Sequence, residues 1–240
     1  MLARPSDRPP GRGLPSPRRV ALVVAVAHGF NDAYAAFVHP LLPRLMGRFG
    51  LTIAMAATLA MAFSLASSVF QPLLGYLADR HGRRVFLVGG ALVVGCFSSM
   101  LGSAPSFGVL VTALLIAGLG SAAFHPPGAA YAARVSDGRG SGARYSLFSF
   151  GGAAGYAMGP LVAVWIVQSR GLQGLWIAMI PILVLSPVLY FNLPSARSER
   201  PAHPPPAPGA VFGQLAGPLG LVFGVSAAMA WAQRAFLTMV

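Results

Sequence analysis

Residues 75–84 read GYLADRHGRR, and a long apolar run lies on either side of them. A polar stretch this short, with three arginines and one aspartate, predicts a tight hairpin between two membrane-spanning helices. Gly75 lets a neighbouring helix approach closely at the membrane edge. Gly82 supplies the backbone freedom that a two-helix hairpin needs. Asp79 can accept charge-assisted hydrogen bonds from an arginine or from a helix N-terminus. A generic basic loop would account for Arg80, Arg83 and Arg84, but not for the order of Gly, Leu, Asp and Gly around them.

The flanking runs are representative of the whole chain. Of its 240 residues, 55% are hydrophobic and 9% charged, and the mean hydropathy is +0.68. A soluble domain carries about 25% charged residues, so lipid is the expected main solvent. The formal net charge is +12, and all 17 basic residues are arginine, a bias that GC-rich codon usage explains. These arginines sit at the ends of apolar segments and form no single patch, which argues against a nucleic-acid partner and for a bilayer. The one cysteine, Cys96, lies inside an apolar run, so it forms no intrachain disulfide and reads as a small packing residue. No nucleophile–base constellation is present, so neither an enzyme nor a cofactor is expected.

Hydropathy predicts an all-α membrane protein with six complete spans, near residues 20–43, 52–77, 85–103, 107–133, 145–169 and 175–193. A seventh opens near residue 212 and runs to Val240. The first run has an arginine-rich leader like a signal peptide. It nevertheless continues for a full membrane thickness and contains His28, Asn31 and Asp32, so an uncleaved span is expected. Thirteen arginines fall in the leader and the loops after spans two, four and six, against three (Arg44, Arg48 and Arg170) on the other side. That asymmetry puts the N-terminus in the cytoplasm of a multi-pass protein, expected in a bacterial inner membrane. The domain reading follows. Residues 1–19 form a disordered Arg/Pro-rich cytoplasmic tail, and residues 20–193 a six-helix bundle. Residues 194–211 form a Pro-rich cytoplasmic linker, and residues 212–240 the incomplete start of a second bundle. The seventh run ends without a polar tail, which suggests a fragment or truncated gene product.

Ionisable residues inside a membrane are costly, so each is a functional candidate. His28 and Asp32 are four apart and share a helix face with Asn31 beside them. Asp32 lies about 18 Å along its helix, near the bilayer middle. In the fourth span His125 is followed by Pro126 and Pro127, which are expected to break or kink that helix where it lines a cavity. His125 lies about 12 Å from the end of its span, a depth similar to that of His28. For both histidines, packing and functional roles stay open, and Asn31 and Asp32 could simply hold helices together by hydrogen bonds. His28, His39 and His125 show no metal-ligand spacing, so no metal is expected. In the fifth span Gly151, Gly155 and Gly159, followed by Pro160, recur at intervals of four and form a groove for close helix packing.

The hairpin resembles the signature between helices two and three of the major facilitator superfamily, with Gly75, Leu77, Asp79, Arg80, Gly82, Arg83 and Arg84 matching. The fifth span is similar to the antiporter motif of that superfamily at Gly155, Gly159 and Pro160, although Ala163 and Val164 replace its trailing glycines. Residues 28–32 (HGFND), the Phe124-His125-Pro126 stretch and the GxxxGP stretch together resemble the fosmidomycin resistance type of drug efflux transporter. Pro127 stands where some members carry an acidic residue.

This resemblance implies a six-helix bundle of two inverted three-helix repeats, in which helices one and four correspond and line the path. It implies a secondary transporter, with proton-coupled efflux of a small drug-like or anionic compound expected. Asp32 would carry the proton, His28 would tune or relay it, and His125 and Asn31 would line the site. Arg234, in the seventh span, would pair with Asp32 or bind an anionic drug. The hairpin would act as a cytoplasmic latch against a C-terminal half expected in the same polypeptide. Two alternatives stay open: an uptake permease for a small organic acid or sugar, and a truncated membrane protein that transports nothing.

Overall fold

The structure is a computed structural model that describes residues 16–135 and 141–194, together with residues 217, 220, 221, 223–225 and 227–229. It divides into two compact units, Met1–Glu199 and Arg200–Val240. In the second unit the described residues are helical and exposed. Much of the expected linker and seventh span, Arg234 included, lies outside the described residues, as does the leader up to residue 15.

The first unit is all helix among its described residues, and eight α-helices make up six candidate spans. Helix α1 (Pro17–Ala35) begins three residues before the expected span. The reason is local: the Ser16 hydroxyl accepts from the Arg19 amide at 3.3 Å, and Pro17 takes the first helical position. The first span is also interrupted, with α2 (Val38–Phe49) following after Ala36 and Phe37. Pro40 lacks the amide that would bond to Ala36, and its ring crowds that carbonyl, so the ladder breaks at that point. Gly50, at φ 62°, ends α2, and Thr52 caps the next helix by accepting from the Met55 amide.

The second span is likewise a pair, α3 (Ile53–Val69) and α4 (Gln71–His81), bent by 45° at Phe70 with Pro72 opening α4. The hairpin then turns on Gly82, whose φ of 118° suits only glycine, straight into α5 (Arg83–Ser99). A short 3-10 turn follows at Leu101–Ser103. Helix α6 (Phe107–Val135) runs through Pro126 and Pro127 without a break, so of the break or kink expected from the sequence the break does not occur. Each proline removes one backbone donor, so the carbonyls of Ala122 and Ala123 lose their helical partners. Helix α7 (Ser141–Arg170) similarly continues through Pro160. A 3-10 segment (Leu172–Ala178) leads into α8 (Met179–Asn192).

Between lipid-soluble helices there is little hydrophobic drive, so association depends on close packing and interhelical hydrogen bonds. Helices α1 and α7 meet along matched rows of small residues. A Cβ at Gly151 would strike the carbonyl of Ala25, at Gly155 that of Gly29, and at Gly159 that of Ala33. Both rows advance by four residues, so the two backbones stay in contact for two turns. Polar ties between segments complete the bundle. The Tyr34 hydroxyl donates to the Ala178 carbonyl at 2.6 Å, and the Arg48 guanidinium donates to the carbonyls of Gly102 and Ala104. Large apolar side chains such as Ile53, Trp165 and Phe191 face outward on α3, α7 and α8, as expected of a protein surface solvated by lipid.

The glycine rows give a measurable outcome. Gly155→Ala should lower the unfolding free energy in detergent by about 1–3 kcal/mol, because backbone cannot yield to the new methyl. Gly89→Ala, whose methyl would meet nothing within 4 Å, should be neutral or stabilising by up to about 1 kcal/mol. Equal effects of the two substitutions on tryptophan-monitored unfolding would contradict the packing argument.

Candidate functional site

Three helices bring their polar residues to one point. His28, Asn31 and Asp32 come from α1, Ser121 and His125 from α6, and the carbonyl of Phe148 from α7. On α1, the i,i+4 spacing sets His28 Nε2 at 3.4 Å from Asp32 Oδ2. From α6, His125 Nε2 lies 3.3 Å from Asp32 Oδ1. The two imidazoles are edge-to-face at 5.3 Å between centroids. The carboxylate is therefore flanked on both oxygens.

Each ring is held from its far side. His28 Nδ1–H donates to the Phe148 carbonyl at 2.8 Å, and the ring stacks on Phe148 at 4.1 Å. His125 Nδ1–H donates to the Ser121 carbonyl, one turn back on its own helix, at 2.9 Å. A carbonyl can only accept, so both neutral rings carry their proton on Nδ1 and turn the Nε2 lone pair toward Asp32. Each Nε2–carboxylate contact becomes a hydrogen bond only when its ring takes a second proton. Asn31 is fully buried, and its Nδ2 donates to Asp32 Oδ1 at 3.0 Å and to Ser121 Oγ at 3.2 Å. Asn31 Oδ1 has no hydrogen-bond partner. The cluster is open on one side, since the His125 side chain is 29% exposed.

The four site residues expected from the sequence on α1 and α6 thus form one cluster, while Arg234 lies outside the described residues. His39, weighed with them, is an exposed residue of α2, away from this helix face. Sequence reasoning missed three contributors. Ser121 was signalled only by its place one turn before His125. Gly152 was visible as the second glycine of a pair: a Cβ there would lie within 2.8 Å of His28 Cε1, His28 Nε2 and Asp32 Oδ2. Its missing side chain also uncovers the Phe148 carbonyl, which points along the helix toward residue 152. The role of Phe148 is carried by a main-chain atom and left no signal in residue type.

The hairpin residues form a separate group. Asp79 and Arg83 make a 2.7 Å ion pair across Gly82, and Arg80 donates to the Tyr76 hydroxyl at 2.9 Å. Arg84 lies 4.1 Å from the Tyr190 ring centroid on α8 and donates to the Tyr190 carbonyl. A Cβ on Gly75 would meet the Pro126 ring at 3.0 Å, so α4 rests on the proline step of α6.

A family model described as Major Facilitator Superfamily matches residues 23–240. The chain belongs to that superfamily. Its members are transporters, so the bundle is an integral multi-pass membrane protein with the all-α architecture of the family. Over 177 residues the chain is 31% identical to YfnC, an uncharacterized transporter of this type from Bacillus subtilis, covering 71% of the chain and 42% of the relative. It is 32% identical over 148 residues to the fosmidomycin resistance protein of Escherichia coli, covering 62% and 36%. It is 29% identical over 156 residues to the class G tetracycline resistance protein of Vibrio anguillarum, covering 60% and 37%. The chain thus spans about two fifths of the length of these relatives.

The clearance at Gly152 can be tested directly. Gly152→Ala should displace the His28 ring and weaken its bond to the Phe148 carbonyl, seen as loss of the Nδ1–H tautomer for one histidine in 15N spectra. A spectrum identical to wild type would show that α7 does not limit the position of that ring.

Proposed function

We propose that this bundle is the N-terminal, path-lining part of a secondary active transporter that exports a small drug-like or anionic compound in exchange for protons. The observation that carries this reading is the position of Asp32. It is a carboxylate in the last turn of α1, near the middle of the first span, bracketed by two imidazoles from two helices and reachable from one side. A membrane-embedded acid is costly and is retained for function. One added proton converts a lone-pair contact into a charge-assisted hydrogen bond, so proton uptake and solute binding can favour different access states. Efflux is preferred over uptake because two of the relatives are named for resistance to fosmidomycin and to tetracycline.

In this reading Asp32 carries the coupling proton, and His28 relays it or tunes it. Asn31 and His125 line the path. The close α1–α7 seam at Gly151, Gly155, Gly159 and Pro160 keeps that path sealed from lipid. The hairpin at residues 75–84 is a gate on the cytoplasmic face of a bacterial inner membrane. The internal ties of Asp79 to Arg83 and of Arg84 to Tyr190 support a braced gating element rather than a binding site.

The test is efflux by the full-length gene product in inside-out vesicles with an imposed proton gradient. Asp32→Asn should abolish gradient-driven movement of the exported compound, a loss of about 100-fold or more, while Asp32→Glu should retain part of it. If Asp32→Asn pumped like wild type, the coupling role would be wrong. If the wild-type compound moved out of such vesicles with the proton gradient, uptake would replace efflux.

A further inference from the structure

We propose that His28, Asp32 and His125 form a binding site for a divalent first-row transition-metal ion, with both Nε2 atoms and the Asp32 carboxylate as its three protein ligands. The inference uses only the geometry of the cluster and needs neither the direction nor the coupling of transport.

The spacing suits such an ion. Zinc bonds imidazole nitrogen and carboxylate oxygen at about 2.0–2.2 Å, so neighbouring ligand atoms of a tetrahedron stand about 3.3–3.5 Å apart. The two histidine–aspartate separations are 3.4 and 3.3 Å, and ligand atoms from all three residues lie within 4.8 Å of one another. The two contacts fall on different carboxylate oxygens, so closing the 4.8 Å spread to a tetrahedral edge takes a movement of about 1 Å, shared between the two rings.

The supporting shell points the same way. A metal-ligating histidine donates its other ring N–H to a carbonyl or carboxylate, which fixes the tautomer and the ring plane. Both rings already do this, to the carbonyls of Phe148 and Ser121. Ligating carboxylates are in turn hydrogen-bonded, and the fully buried Asn31 supplies that bond. The result is two nitrogen lone pairs and a carboxylate converging with no donor among them. One proton relieves one of those contacts, whereas a metal ion relieves all of them.

Ligand chemistry narrows the choice of ion. Imidazole with carboxylate suits zinc, cobalt, nickel or copper(II), and an all-oxygen set would be needed for magnesium or calcium. Three protein ligands with an open side leave a fourth position for water or for an oxygen-donor solute.

The experiment uses full-length protein with a tag that lacks histidine, purified in detergent and stripped with EDTA. Wild type should bind one equivalent of Co2+ per chain with a tetrahedral visible spectrum. Zn2+ should displace that ion and Mg2+ should not. His28→Ala, His125→Ala and Asp32→Asn should each weaken binding by at least about 10–100-fold. His39→Ala, at an exposed position of α2, should leave it unchanged. X-ray absorption on wild type loaded with Zn2+ should count two imidazoles, a readout independent of whether each variant folds. Absence of stoichiometric binding by wild type, or full binding by both histidine variants, would overturn the site. Proton-driven efflux measured in EDTA reports on the transport reading alone, so the two can fail separately.

Discussion

The distance between α1 and α7 sets nearly everything that matters in this bundle. Three glycines one turn apart on α7 press against three carbonyls one turn apart on α1. Lipid offers the helices no apolar incentive to associate, so this backbone contact has to be made by shape. It also sets the chemistry. Only at this separation does the Phe148 carbonyl reach His28, and only with Gly152 bare is there room for the imidazole beside Asp32. Packing and site geometry are therefore one constraint: a methyl group added to the seam alters the position of a titratable ring.

The other side of the cluster is built differently. Helix α6 delivers Ser121 and His125 through an uninterrupted helix despite two consecutive prolines. Prolines in a membrane helix leave carbonyls without partners, which suits a position near a polar opening better than one facing lipid. The same step receives α4 at Gly75, so the polar hairpin at residues 75–84 touches the helix that carries His125. The hairpin and the carboxylate cluster are thus joined through α4 and α6.

Much of this was legible from residue order. The apolar runs marked the spans because a bilayer demands long uncharged helices, and the glycine spacing on α7 marked a seam. His28 and Asp32 were paired by helical periodicity, and His125 joined them by depth. The misreadings have physical causes. Two consecutive prolines predict a break or kink, yet α6 is unbroken through them, whereas the first span is interrupted just before Pro40. Helix α1 starts earlier than hydropathy predicts because a serine cap and a first-turn proline carry more weight. The metal-binding potential of the cluster was invisible because its donors lie on two helices about a hundred residues apart. The oxygens of Phe148 and Ser121 that accept from the two imidazoles are main-chain atoms, which residue identity does not encode.

The two imidazoles differ in one respect with a kinetic meaning. His125 is anchored to a carbonyl of its own helix, so its anchor travels with it in any rigid-body motion. The anchor of His28 belongs to α7. Substituting Phe148 cannot remove that oxygen, but separating the helices can. A movement that separates α1 from α7 frees the ring to change tautomer, so the tautomer of His28 reports whether the two helices are in contact.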